Sequence, residues 1–170
     1  MDTVKTILKS NKKPKEKVSL LVEKVKKEKK LLDELVEYFK AGSVADKGNC
    51  IEVMEYVSQD RPELILPYLD FVIENLNYSA PKVKWETARV IGNLALKYPD
   101  EVAKSIKKLF LNTKDEGTVV RWSAAFALTE IAKSNSKLQK ELVKRFNQIV
   151  KEESNNGVKN VYLKALKILK

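Results

Sequence analysis

The apolar residues of this chain recur with a period of 37 residues over nearly its whole length of 170 residues. The same shift carries Pro62 onto Pro99 and Trp85 onto Trp122. The columns kept in phase are Leu20, Val57, Leu94 and Ile131; Leu32, Leu69, Ile106 and Val143; and Leu35, Val72, Leu109 and Phe146. A period of about 20–50 residues is typical of proteins that stack one small structural unit many times. The chain is therefore predicted to be a repeat protein.

Each unit has the spacing of two helices rather than of strands. Apolar residues recur three and four positions apart, and no alternating strand pattern competes with this spacing. The second helices are predicted to begin near Val25, Pro62, Pro99 and Ser136. Proline suits the first position of a helix, because the nitrogen there has no intrahelical partner. One helix pair cannot bury its apolar face alone, so neighbouring pairs must stack to form a core.

Three segments carry a family resemblance. Residues 83–92 and 120–128 open with Val-Lys and Val-Arg and continue with small and aliphatic residues. Residues 62–69, with their inner proline, look like the helix that follows. Together they resemble the HEAT-repeat (ARM-type) family of helical solenoids. The resemblance implies an all-α fold, a right-handed α-α superhelix of about four and a half helix pairs.

The resemblance extends over nearly the whole chain, and residues 1–170 are expected to form a single HEAT-like repeat domain. Its expected units are residues 11–47, 48–84, 85–121 and 122–158, with a half unit at 159–170. The first unit departs from the pattern, because it is rich in lysine and lacks the Val-Arg start. Its short join near residues 24–27 could let its two helices merge.

The composition excludes several kinds of chemistry. With no histidine and one cysteine, the chain cannot form a Ser-His-Asp or Cys-His catalytic group or a tetrahedral zinc site. Cys50 begins an apolar stripe and is predicted to be a buried structural thiol. A single cysteine fits a cytoplasmic location, and no apolar run approaches the roughly 18–20 residues of a membrane span. No catalytic residue, cofactor or metal ligand is predicted.

The net charge of +10 is unevenly distributed along the chain. Residues 1–30 carry eleven basic and four acidic residues, residues 31–82 carry four and ten, and residues 83–170 carry eighteen and nine. The repeat columns place this change on the second helices, which the resemblance assigns to the concave face. That face is expected to be acidic early and basic late. The predicted basic half consists of Lys104, Lys107, Lys108, Lys140, Lys144 and Arg145.

These cations leave three interpretations open. They could form a solvated or weakly binding face, bind an acidic protein, or contact the phosphates of a nucleic acid. Lysine outnumbers arginine among them, which suits a diffuse charged surface better than bidentate recognition. We therefore rank the solvated face first, a protein partner second and nucleic acid third.

Four carboxylates occupy equivalent positions on two second helices. Asp33 and Glu37, like Asp70 and Glu74, are spaced four residues apart and so share a helix face. Such an acidic patch could bind a divalent cation or serve as acid and base. A solvated face explains the same residues and is the favoured interpretation, because the sequence indicates no pocket around them.

The two tryptophans occupy the same position of successive units. Trp85 and Trp122 should therefore lie adjacent on one side of the stack. They could serve as packing residues, which is the favoured interpretation, or as an aromatic platform for a base or a peptide. Gly92, in the middle of a helix, is predicted to mark a close contact between helices.

The leading functional hypothesis is a non-enzymatic interaction or scaffold module that binds a protein or peptide along its concave groove. The alternative is a nucleic-acid-binding HEAT protein related to the alkylpurine DNA glycosylases, whose basic groove carries aromatic residues and an acidic residue. Here the residues four positions after Trp85 and Trp122 are Arg89 and Phe126, so no catalytic carboxylate is carried over. A HEAT accessory protein of the phycobilin-lyase type is a third possibility, for which the sequence offers no cofactor residue.

Overall fold

A computed structural model describes residues 3–169. Over this range the chain is helical and has no β-strand, which confirms the predicted all-α fold. The helices are α1 (Thr3–Leu8), α2 (Pro14–Lys27), α3 (Leu31–Ala41), α4 (Val44–Asp60), α5 (Pro62–Ile65), α6 (Leu69–Glu74), α7 (Pro81–Leu94), α8 (Pro99–Val102), α9 (Ile106–Asn112), α10 (Thr118–Ser134), α11 (Gln139–Glu152) and α12 (Asn156–Ile168).

Local sequence signals set many of the helix starts. Proline occupies the first turn of α2, α5, α7 and α8, and the predicted starts at Pro62 and Pro99 are confirmed. The first backbone N–H groups of α4 and α12 are capped by side chains. Ser43 Oγ accepts a hydrogen bond from the N–H of Asp46 at 3.1 Å, and Asn155 Oδ1 accepts one from Val158 at 3.0 Å. Such caps satisfy donors that the helix itself leaves without partners.

Two predicted helix starts are wrong. α2 continues through Val25, whose side chain is buried, and the second helix of that unit begins at Leu31. The last second helix begins at Gln139 rather than near Ser136. Residues 28–30 separate α2 from α3, so these two helices do not merge. The period fixes the length of a unit but not where it begins, so the expected boundaries at 48, 85, 122 and 159 fall inside α4, α7, α10 and α12.

The chain divides into two compact units, unit 1 (Met1–Pro67) and unit 2 (Tyr68–Lys170). The division falls within a short 3-10 turn, Leu66–Tyr68. Pro67 in this turn cannot donate a backbone hydrogen bond, so a regular helix is interrupted here. The prediction of a single repeat domain over residues 1–170 stays a prediction.

The same interruption recurs 37 residues later in the 3-10 turn Ala103–Ser105, which contains no proline. There the buried Ser105 Oγ donates a hydrogen bond to the carbonyl of Val102 at 2.6 Å. The break therefore does not require proline; it occurs in these two second helices, whereas α3 and α11 are continuous.

Unit 1 is built around α4. This helix packs against α2, α3 and α5, and α1 contacts α2 and α3. The sequence did not predict α1, which buries Val4, Ile7 and Leu8. Cys50 of α4 is only 1% exposed, and burial raises the pKa of its thiol to about 12. A protonated, enclosed sulfur is a poor nucleophile, so the prediction of a structural thiol is confirmed.

Unit 2 has two layers of helices. α10 packs against α7 and against α12, and these three form the first-helix layer. The second-helix layer consists of α6, α8, α9 and α11. Gly92 permits the close approach of α7 and α10, because a Cβ atom there would lie 2.7 Å from Cδ2 of Phe126. The predicted close contact at this glycine is confirmed.

A ladder of ion pairs connects successive repeats in unit 2. Lys84 Nζ donates to Asp115 Oδ2 at 2.7 Å. One repeat later, Arg121 Nε donates to Glu153 Oε2 at 3.1 Å. The two carboxylates also accept backbone N–H groups, from Gly117 and from Asn155. Lys84 and Arg121 are the second residues of the Val-Lys and Val-Arg segments noted in the sequence. Each cation therefore links its own first helix to the loop that precedes the first helix of the next repeat.

Candidate binding surface

The predicted basic residues lie on the second-helix layer of unit 2. Lys107 and Lys108 are in α9, and Lys104 is in the 3-10 turn before it. The other three, Lys140, Lys144 and Arg145, are in α11. Their placement on second helices therefore follows the repeat columns.

Two of these six cations are engaged by α6. Lys104 Nζ lies 3.1 Å from Asp70 Oδ1, and Lys108 Nζ donates to the carbonyl of Ile73 at 3.3 Å. Both members of the Lys104–Asp70 pair are exposed, and an exposed pair of this kind contributes only about 0–1 kcal/mol. Lys107, Lys140 and Lys144 are exposed without an ion pair among the described residues.

A groove of about 550 Å³ lies between α9 and α11. Its lining residues are Ile106, Lys107, Phe110, Leu111, Lys114 and Arg145. The guanidinium of Arg145 lies 3.7 Å from the centroid of the Phe110 ring, which joins the two helices by a cation–π contact. The lining therefore combines three cations, an apolar floor and no carboxylate. We refer to it as the α9–α11 groove.

Three lining residues were not singled out from the sequence: Phe110, Leu111 and Lys114. Leu111 is 63% exposed. The equivalent positions of the other repeats are polar: Glu37, Glu74 and Gln148. A leucine in an otherwise polar column was the signal that could have located the groove. Lys114 follows the end of α9, where helical spacing no longer indicates which way a side chain faces.

The two tryptophans lie in the first-helix layer, so they do not line the groove with the lysines. Trp122 stacks on Phe126, with ring centroids 5.9 Å apart and planes 7° apart. The guanidinium of Arg89, one turn after Trp85, lies 5.3 Å from the centroid of the Trp122 ring. The Arg89 contact joins α7 to α10, and together these contacts favour a packing role for Trp122. Both tryptophans keep some exposed surface.

The acidic candidates are divided between the two units. In unit 1, Asp33 and Glu37 line a pocket of about 870 Å³ formed by α1, α3 and the start of α4. Glu37 pairs with Lys40 at 2.8 Å, and Glu34 in the same pocket accepts a hydrogen bond from the N–H of Val4 at 3.1 Å. Within unit 1, Glu37 is thus paired with a cation, and Glu34 is held by a backbone N–H group.

In unit 2, Asp70 pairs with Lys104, and Glu74 is exposed. Across residues 3–169, the structure brings together no group of three or more Asp, Glu or Cys side chains able to hold a metal ion. None of the described helices combines the length and the apolar character that crossing a bilayer requires.

No protein-family model matches the chain, and no curated protein matches it significantly in sequence. Solved structures do match. A crystal structure of an engineered protein shares 20% identity with a TM-score of 0.78, covering 99% of this chain and 80% of its own. A designed armadillo repeat protein shares 16% identity with a TM-score of 0.74, over 99% of this chain and 82% of its own. The fold is that of an ARM/HEAT-type helical repeat solenoid.

Another designed armadillo repeat protein of this fold was solved in complex with the peptide (KR)4. It shares 16% identity with a TM-score of 0.75, covering 96% of this chain and 79% of its own. The resemblance to the ARM-type solenoids noted in the sequence is thus confirmed at the level of the fold.

Proposed function

We propose that the chain is a non-enzymatic interaction module that binds a segment of a partner protein on the second-helix layer of unit 2. The observation that carries this proposal is the α9–α11 groove. Lys107, Lys114 and Arg145 surround Phe110 and the exposed Leu111 there. An apolar floor bordered by cations offers both buried area and charge complementarity, which are the two requirements of a protein-binding site.

The structural neighbours support peptide binding as a use of this fold. One designed armadillo repeat protein was solved with the strongly basic peptide (KR)4. The α9–α11 groove of this chain is itself basic, so a peptide of that composition would be repelled there. We therefore propose that this chain also binds a peptide segment, but not one with the positive charge of (KR)4.

The residues support a binding role over a catalytic one. The sequence has no histidine, and the single thiol, Cys50, is buried with its pKa raised to about 12. The glycosylase alternative has no support in the geometry. Arg89 and Phe126 stand four positions after the two tryptophans, where that alternative would need a carboxylate. Arg89 instead packs on the Trp122 ring, and Phe126 fills the space beside Gly92.

An unbiased peptide-display selection tests this proposal. The wild-type protein is compared with a variant carrying Lys107→Glu, Lys114→Glu and Arg145→Glu, the three cations of the groove. A control carries Lys97→Glu, Lys164→Glu and Lys167→Glu, which change the charge by the same amount at exposed sites outside the groove. We expect peptides selected on the wild type to bind the control and to lose binding to the groove variant. Equal binding to both variants, or no selected peptide at all, would contradict the proposal.

A further inference from the structure

The α9–α11 groove has two chemically distinct parts. Ile106, Phe110 and Leu111 form an apolar strip along α9, while Lys107, Lys114 and Arg145 surround it. Within the described residues, none of Lys107, Lys114 and Arg145 has an ion pair, and the Arg145 guanidinium lies over the Phe110 ring. A single exposed leucine is ordinary on a protein surface. An exposed leucine that continues an apolar strip between unpaired cations indicates a ligand with both kinds of group.

The lining is poorly suited to a nucleic acid. Bases are bound without sequence preference by stacking on exposed aromatic rings. Phe110 is only 8% exposed, and the guanidinium of Arg145 already covers its ring at 3.7 Å. Leu111, the exposed apolar group, has no π face on which a base could stack. The cations could still attract phosphates, but the apolar strip would then remain uncovered.

We infer that the α9–α11 groove binds a short acidic segment of a partner protein that carries one large apolar side chain between carboxylates. The apolar side chain packs on Leu111 and the edge of Phe110, and the carboxylates pair with Lys107 and Lys114. Lys107 is in the first turn of α9 and Lys114 lies just past the end of that helix, so the two cations border opposite ends of the apolar strip. An extended peptide advances about 3.3 Å per residue, so carboxylates on the two sides of one central apolar residue can reach both ends. This inference rests on the proposed function and specifies the partner of the same site.

Fluorescence anisotropy with labelled ten-residue peptides tests the inference. The probe contains Asp and Glu on both sides of one central Phe. A second peptide replaces this Phe by Ser, and a single-stranded oligonucleotide of equal charge serves as the third probe. The protein variants are Leu111→Ser and Lys114→Glu in the groove, with Leu96→Ser and Lys97→Glu as controls. Leu96 is a suitable control because it is 84% exposed and lies outside the groove.

We expect the Phe-containing acidic peptide to bind the wild type. Leu111→Ser and the loss of the peptide's Phe should each weaken binding about fivefold to tenfold, the loss expected from removing part of one apolar contact. Lys114→Glu should weaken binding more at low salt than at high salt, because salt screens the interaction between charges. The Leu96→Ser and Lys97→Glu controls should bind as the wild type does. All these variants change exposed side chains, so circular dichroism should show unchanged helical content.

Any of the following results would overturn the inference. Equal binding of the Ser-containing peptide, or no effect of Leu111→Ser, would reduce the groove to a diffuse charged surface. Tighter binding of the oligonucleotide, unaffected by Leu111→Ser, would replace the acidic segment by a nucleic acid. Display-selected peptides could lose binding to the groove variant and yet lack acidic and apolar residues. That result would contradict an acidic segment as the partner and would still support the proposed function. If no peptide of any composition binds, the proposed function fails as well.

Discussion

At the scale of single residues, Gly92 shows how one atom decides the distance between two helices. Glycine inside a helix costs about 1 kcal/mol relative to alanine, so its presence in α7 needs a compensating contact. That contact is the ring of Phe126, which is itself stacked on Trp122. Because the ring is held from the other side, it cannot easily move to accept a methyl group at position 92.

Gly92→Ala is therefore expected to lower the free energy of unfolding by about 1–3 kcal/mol, the usual cost of overpacking a core. Urea denaturation measures the change. The matched background is Phe126→Ala, which removes the obstructing ring. In that background the alanine should become neutral or stabilising by up to about 1 kcal/mol, because only helix propensity remains. Equal destabilisation in both backgrounds would show that Phe126 is not the cause.

At the scale of helices and loops, the ion-pair ladder links successive repeats of unit 2. Asp115 and Lys84 are mostly buried, with side chains 13% and 20% exposed. Burial alone would raise the pKa of the Asp115 carboxyl. Hydrogen bonds from Lys84 and from the Gly117 N–H, together with the charges of Lys84 and Arg121, outweigh this effect and lower the pKa below its ordinary value of 3.8. The folded state thus favours the ionised form.

A lowered pKa in the folded state means that ionised Asp115 stabilises the protein above the pKa of the unfolded chain, near 3.8. This contribution is lost as the pH falls through the lower pKa of the folded state. Asp115→Asn should lower the free energy of unfolding at neutral pH by about 1–3 kcal/mol, as expected for charged hydrogen bonds. The difference from the wild type should shrink as the pH falls below about 4.

Denaturation at neutral pH and near pH 3 checks this prediction. The control is Glu116→Gln, which removes one charge from the adjacent, exposed side chain and should change stability by less than about 0.5 kcal/mol. A difference between Asp115→Asn and the wild type that does not depend on pH would contradict the assigned role.

At the scale of the whole molecule, periodicity was a strong predictor of architecture. The 37-residue columns predicted an all-α repeat protein and placed the basic residues on second helices, because one shift aligns every unit at once. The same method missed α1, whose six residues lie outside the repeat. It also misjudged the start of α3, because α2 continues past Val25 before residues 28–30 break the helix.

The candidate site was predicted only in part. The change of charge along the repeat columns predicted that Lys107 and Arg145 belong to a basic surface. A column compares equivalent positions, however, and does not show which side chains of two neighbouring helices face each other. The α9–α11 groove forms between helices of two successive repeats within unit 2, so its floor of Phe110 and Leu111 is defined only when both helices are in place. Trp85 and Trp122, the other candidates for a binding surface, lie in the other helix layer.

The central claim is that partners bind on the second-helix layer of unit 2. Amide chemical-shift mapping of the labelled protein, titrated with a display-selected peptide, tests it most directly. We expect the shifted signals to cluster at residues 104–114 and 140–151, with the indole signals of Trp85 and Trp122 unchanged. Shifts clustered on α7, α10 and α12, or within unit 1, would contradict the claim.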